Sequence, residues 1–186
     1  MKISTRLGAG FGLLILLFIL CTGVAFNALS NARAGMENAV SVKMKKYQII
    51  LDMRGGLRDM AIAIRNIALF SDPDIMKQEQ DRLTQQQALY VKNRQALSDM
   101  MKSESTPAGR ETFQKMESLE DEAMRTYEKA AQLGLQRQVQ EAADYLLKVN
   151  RPAHRNLLAA LNEMTVLQMK SSETAVAENA RAVSRA

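Results

Sequence analysis

Apolar residues are distributed along this chain in two different ways. From Leu7 to Phe26 they are almost continuous and carry no charge, with Leu13-Leu14-Ile15-Leu16-Leu17-Phe18-Ile19-Leu20 at the centre. About 20 such residues are needed for a helix to span hydrocarbon, so the run predicts a transmembrane helix. Beyond it, apolar residues alternate at spacings of three and four. Ile50, Met53, Leu57, Met60, Ile64 and Ile67 form one such row, the a/d seam of a packed helix. Phe113, Met116, Leu119, Ala123, Tyr127 and Ala130 form a second, and Leu146, Val149, Ala153, Leu157, Leu161 and Met164 a third. Between them Met76, Leu83, Tyr90 and Leu97 recur one heptad apart among many glutamines, which predicts a more solvated helix.

Breaks between the rows are marked by helix-start and helix-stop chemistry. Asp72-Pro73 and Thr106-Pro107 each place a capping side chain before a proline suited to the first helical turn. Gly134 is placed to close a helix, and Asn150-Arg151-Pro152 marks a kink or a helix start. The predicted helices run from about 28 to 70, 74 to 104, 107 to 133, and 137 to the end with a bend near Pro152. The fold class is therefore all-α: an antiparallel four-helix bundle with long first and last helices, preceded by a transmembrane helix. The domain reading is 1–27 for the cytoplasmic N-terminus and anchor, and 28–186 for the bundle. At 1.5 Å per residue each outer helix reaches about 60 Å, long enough to run from the bundle to the membrane.

Composition agrees with the helical reading. The chain has 9 Gly, 3 Pro and no Trp, and its commonest residues are good helix formers. Lys2 and Arg6 precede the apolar run and favour a cytoplasmic N-terminus, with the bundle in the periplasm. The competing reading is a signal peptide cut after Ala32-Arg33-Ala34, but the apolar run is longer than a signal's apolar core of about 7–15 residues. The anchor is expected to be retained. The single cysteine, Cys21, excludes an intrachain disulfide, and Leu20 before it does not suit a lipid-modification site. Without Lys2 and Arg6 the chain holds 23 basic against 20 acidic residues, too even a balance to suggest a nucleic-acid partner.

Catalytic and metal motifs are missing from the sequence. One histidine, His154, falls short of the paired Glu-x-x-His motifs of di-iron bundles. There is no phosphate loop, no Gly-x-Ser-x-Gly and no cysteine–histidine pair. No enzyme activity, no cofactor and no metal is expected, and the methionines on the seams are expected to be core.

Arginines supply the candidate chemistry. At about 100° per residue, Arg54, Arg58 and Arg65 share an arc of roughly 40° on the first long helix, and Asp52 and Asp59 lie outside it. In an antiparallel bundle, position x of the first helix stands level with roughly 213 − x of the last. Arg151, His154 and Arg155 then sit at the height of Arg58 and Arg65. Guanidinium groups grip carboxylates in bidentate pairs, so these six residues are candidate ligands for a small di- or tricarboxylate. The alternative is a solvated basic face paired with Asp81, Glu120 or Asp121.

Several stretches resemble the N-terminal portion of bacterial methyl-accepting chemotaxis receptors with a four-helix-bundle sensor. They are the opening Met1-Lys2-Ile3-Ser4-Thr5-Arg6-Leu7, residues Leu57 to Leu69, Glu141-Ala142-Ala143, Arg151-Pro152-Ala153, and Leu157 to Leu161. The resemblance implies an inner-membrane homodimer paired along the first helix. It implies ligand bound near the membrane-distal end by arginines of that helix with polar groups of the last. The 4-then-7 spacing of Arg54, Arg58 and Arg65 departs from the family's amino-acid-binding pattern, which favours an organic acid. A second membrane helix, a HAMP linker and a signalling hairpin would follow residue 186, so the chain is expected to be a fragment that works through cytoplasmic signalling partners. The same bundle also heads histidine kinases and cyclic-dinucleotide enzymes. A membrane-tethered adaptor bundle with no small-molecule ligand is the reading of a different class.

Overall fold

The computed structural model describes residues 3–103 and 106–184, and all their regular structure is helical. The helices are α1 (Ile3–Leu69), α2 (Pro73–Met101), α3 (Pro107–Leu135), α4 (Val139–Tyr145) and α5 (Arg151–Ser184), with a π-helical turn at Leu146–Asn150 between the last two. No separate start is found near Ala28, because the good helix formers there continue α1 without a break. Lys2 and Glu104 lie outside the described residues, as does the side chain of Arg6.

The chain divides into two compact units, residues 1–42 with 175–186 and residues 43–174. In the first, Gly10–Ser30 is long and apolar enough to cross a membrane. Its large side chains, Phe11, Phe18 and Val24 among them, are exposed, and so is Cys21.

The second unit is a four-helix bundle whose core is the set of seams. Ile50, Met53, Leu57, Met60, Ile64 and Ile67 of α1 are fully buried. Met76, Leu83, Tyr90 and Leu97 carry the α2 side, joined by Met101. Phe113, Met116, Ala123, Tyr127 and Ala130 carry the α3 side, with Leu119 partly buried. Met53, Met60, Met116 and Met164 are core residues. Each buried side chain of this size contributes roughly 1.5–3 kcal/mol, so the seams dominate the stability of the unit.

Polar contacts fix the register. Asp59 on α1 accepts from Arg82 on α2 at 2.7 Å, and Asn66 donates to Glu79 at 2.8 Å. Lys43 on α1 donates to the Ser171 carbonyl of α5 at 2.9 Å, one position from the expected level. The Asp72 carboxylate accepts from the amides of Asp74 and Ile75 to cap α2. The Thr106 hydroxyl accepts from Gly109 N–H to cap α3.

Two expectations need correction. Gly134 does not close α3. The helix runs to Leu135, and the reversal comes at Arg137, whose φ is 63°. Gly134 is needed for close packing instead: a Cβ there would lie 2.9 Å from Ile67 Cγ2 and 3.1 Å from Ala68. In the fourth helical rod, Val149 is exposed and Asn150 is buried in its place. Pro152 has no N–H to donate to the carbonyl four residues back, and its ring crowds that carbonyl. The chain answers with a wider turn, in which Arg151 N–H reaches Leu146 O. The extra residue rotates everything before it relative to α5, which moves Val149 out of the seam.

Candidate functional site

The end of the bundle where α1 stops and α4 begins contains a groove of about 530 Å³. One part of its lining is cationic and polar: Arg65 from α1, Asn150 from the π turn, and Arg151, His154 and Arg155 from α5. The other part is apolar: Ala61, Ala68 and Leu69 of α1, with Val139, Ala143, Leu146 and Leu147 of the fourth rod. No lining residue is acidic. The volume lies within the usual range for small-molecule pockets, about 300–1,000 Å³.

Four of the six sequence candidates therefore meet in one place. Arg54 and Arg58 do not line the groove. Arg58 stands close by, since its charge and that of Arg65 both help hold the His154 imidazole below its ordinary range; the larger cause is burial of the ring. Arg54 is half-buried, and its Nε is enclosed without a hydrogen-bond partner. Among the described residues, none of Arg54, Arg58, Arg65, Arg151 and Arg155 has a carboxylate within ion-pair distance. Glu120, a sequence candidate for neutralising them, is taken by Arg94 at 3.2 Å.

His154 is held by α3. Its Nδ1 is hydrogen-bonded to the Tyr127 hydroxyl, which also lies 3.2 Å from the Leu57 carbonyl of α1. A hydroxyl has one hydrogen. Both contacts are hydrogen bonds only when Tyr127 donates to Leu57 and His154 Nδ1–H donates to Tyr127. That assignment leaves Nε2 as an acceptor. Burial pushes the Tyr127 phenol above its usual range, so it stays protonated. One turn away, Asn150 donates to Thr126 Oγ1 at 2.9 Å, and Thr126 donates to the Ala123 carbonyl at 2.7 Å. These buried bonds tie the π turn and the start of α5 to α3, and hold the backbone that carries Arg151 and Arg155.

Sequence reasoning did not place Tyr127 or Asn150 at the site. Tyr127 reads as a seam residue, and only its hydroxyl signals more. Asn150 reads as part of a break. The arrangement suits a ligand with carboxylate groups, since among the described residues no carboxylate pairs with these guanidiniums and none lines the groove.

Residues 1–183 match the family model of the four-helix-bundle sensory module for signal transduction. No curated protein matches the chain.

Proposed function

The chain belongs to the four-helix-bundle sensory modules of methyl-accepting chemotaxis receptors, and on that premise we propose that it senses a small organic acid in the groove between α1 and the fourth rod. The carrying observation is the convergence of Arg65, Arg151 and Arg155 on one groove that has no acidic lining. Three guanidiniums can engage two or three carboxylates, which favours a di- or tricarboxylate. Arg54 and Arg58 lie on the same arc of α1 and extend the positive field toward the groove.

The proposed placement is a retained anchor in the inner membrane and a periplasmic bundle. It rests on the apolar Gly10–Ser30 helix and the charges before it. The proposed assembly is a homodimer paired along α1. Its support is a second row at heptad spacing on that helix, Met44, Leu51, Gly55 and Ile62, which is exposed or half-buried. A Cβ at Gly55 would meet nothing within 4 Å. Ligand contacts from both α1 and α5 would bias a shift of one against the other, of about 1–2 Å, provided one arrangement binds better. Cytoplasmic signalling partners would read that shift.

The test is calorimetry of organic acids against the full chain in lipid nanodiscs. Binding of a dicarboxylate or tricarboxylate that is lost in Arg65→Ala and Arg151→Ala is the expected result. Unchanged affinity in both variants would sink the site assignment.

A further inference from the structure

We propose that the acid this groove takes carries an apolar body beside its carboxylates, as an alkyl- or aryl-substituted dicarboxylate does, and is not a wholly polar acid such as citrate. The inference rests on the reading of the groove as an acid site and adds the chemistry of the rest of the ligand. The register of α1 against α5 orders the lining along the bundle axis. By the register that Lys43 and Ser171 set, Arg155 and His154 stand near the level of Asp59, and Arg151 about two residues short of Arg65. Above them, toward the end of the bundle, come Leu69, Val139 and Leu147. The cations are thus at one end of the groove and the aliphatic side chains at the other.

Those aliphatic side chains are not core residues. Leu69 is 69% exposed, Val139 54% and Leu147 56%, beside a core whose seam residues are fully buried. Large apolar side chains gathered on the wall of a groove lose contact with water only when something apolar covers them. The occupant is fixed by the other end of the same groove, which calls for an anion.

A polar body would fare badly there. Asn150 is the one amide in the lining, and its Nδ2 is spent on Thr126. No lining carboxylate is present to accept from hydroxyl groups, and the side-chain acceptors there, Asn150 Oδ1 and His154 Nε2, lie toward the cationic end. Hydroxyls pressed against Leu69 and Leu147 would lose their water without gaining partners. An alkyl or aryl body loses nothing and gains about 0.8 kcal/mol per buried CH₂, or roughly fourfold in affinity.

The experiment is a homologous series on the full chain in nanodiscs, with empty nanodiscs subtracted: succinate, then methyl-, ethyl-, propyl- and butylsuccinate, with citrate alongside. The expected result is affinity rising by roughly fourfold per added carbon. The slope should flatten in Leu69→Gln/Leu147→Gln, a pair exposed enough for the fold to tolerate, with far-UV dichroism showing that the variant keeps its helicity. Arg151→Ala should lose the whole series. A flat series with citrate or succinate binding at least as tightly overturns the apolar body and leaves the acid site standing. Binding of no acid at all overturns both. Sedimentation decides the remaining case: a dimer that becomes a monomer in the double-glutamine variant, with a flat series, would assign the aliphatic side chains to a second copy of the chain and overturn the proposal.

Discussion

Two charged surfaces of the bundle have opposite logic. On the flank built from α2, α3 and the facing parts of α1 and α5, cations are matched by carboxylates from neighbouring helices. Arg82 meets Asp59 at 2.7 Å, Arg94 meets Glu117 and Glu120 at 2.9 and 3.2 Å, and Lys115 meets Glu163 at 2.8 Å. In the groove between α1 and the fourth rod, Arg65, Arg151 and Arg155 meet no carboxylate among the described residues. Arg151 and Arg155 also stand four apart on α5, where like charges are mildly unfavourable. The first surface spends its charge on holding helices together. The second leaves charge in place at some cost to stability, as a site for an external anion does.

Substitutions can break this contrast, starting with the largest effect. Arg151→Ala or Arg65→Ala should weaken acid binding by tenfold or more, since each charge-assisted hydrogen bond contributes roughly 1.5–3 kcal/mol. The thermal midpoint without ligand should not fall. Arg→Lys should restore binding only in part, because lysine lacks the planar fork. Calorimetry with parallel thermal melts checks both halves.

On the paired surface the pattern should invert. Arg94→Ala leaves Glu120, whose side chain is 12% exposed, without its cation. Burial already pushes the Glu120 carboxyl above its usual range, against the pull of Arg94. The loss should be about 1–3 kcal/mol, toward the lower end because Arg94 is about a third exposed. Acid affinity should be unchanged. Denaturant melts together with calorimetry would detect the reverse.

A smaller effect follows from pH. The folded chain holds His154 below its ordinary value of 6.5, so below that pH the unfolded chain binds a proton that the folded one refuses. The His154 contribution to stability is therefore complete above about pH 6.5 and is lost as pH falls toward the depressed folded value. The raised Glu120 works in the opposite sense, so the measurement is the difference between the parent chain and His154→Gln. That difference should shrink as the pH is lowered. A bound anion favours the charged imidazole, so affinity should tighten over the same window in the parent chain and not in the variant. A pH-independent difference in both quantities would discard the assignment.

The smallest effect is expected at Arg82. Arg82→Ala removes a partly exposed pair worth less than about 1 kcal/mol and should leave acid affinity untouched. Reduced affinity in this variant would show that the two surfaces are not independent.

Much of this bundle is legible in the order of its residues. The α1 seam could be read directly because six residues at alternating three and four spacings admit one helical face. Asp72-Pro73 and Thr106-Pro107 could be read because cap and proline demand the same local geometry. The α4–α5 interruption could not be read in full. Pro152 announces a disturbance, but whether a helix kinks, stops or takes in an extra residue depends on what the neighbouring helix offers, here Thr126 to Asn150. The site was legible in part for a related reason. Arg54, Arg58 and Arg65 share an angle on the helix, but angle says nothing of height. Eleven residues extend roughly 16 Å along the axis, so one groove cannot collect them all. The exposed aliphatic lining comes from the end of α1 (Leu69), from the seven-residue α4 (Val139, Ala143) and from the π turn (Leu147), and these residues form no periodic row.

The π turn at Leu146–Asn150 also bears on how sequences of different length could share this architecture. It holds one more residue than an α-helical turn. Deleting a single residue there, Lys148 for example, would let the backbone close into ordinary helix while α5 kept its place against α3. The segment before the turn would then swing by about 100°. Arg151, His154 and Arg155 would stay at the groove, while different side chains would replace Val139 and Ala143 on its wall. On the proposed reading of the groove, one codon gained or lost at this point would exchange the part that distinguishes one acid from another and preserve the part that grips them all. A single-residue deletion that kept helicity and succinate binding but lost the dependence on alkyl length would display that separation. Loss of succinate binding in a folded deletion variant would deny it.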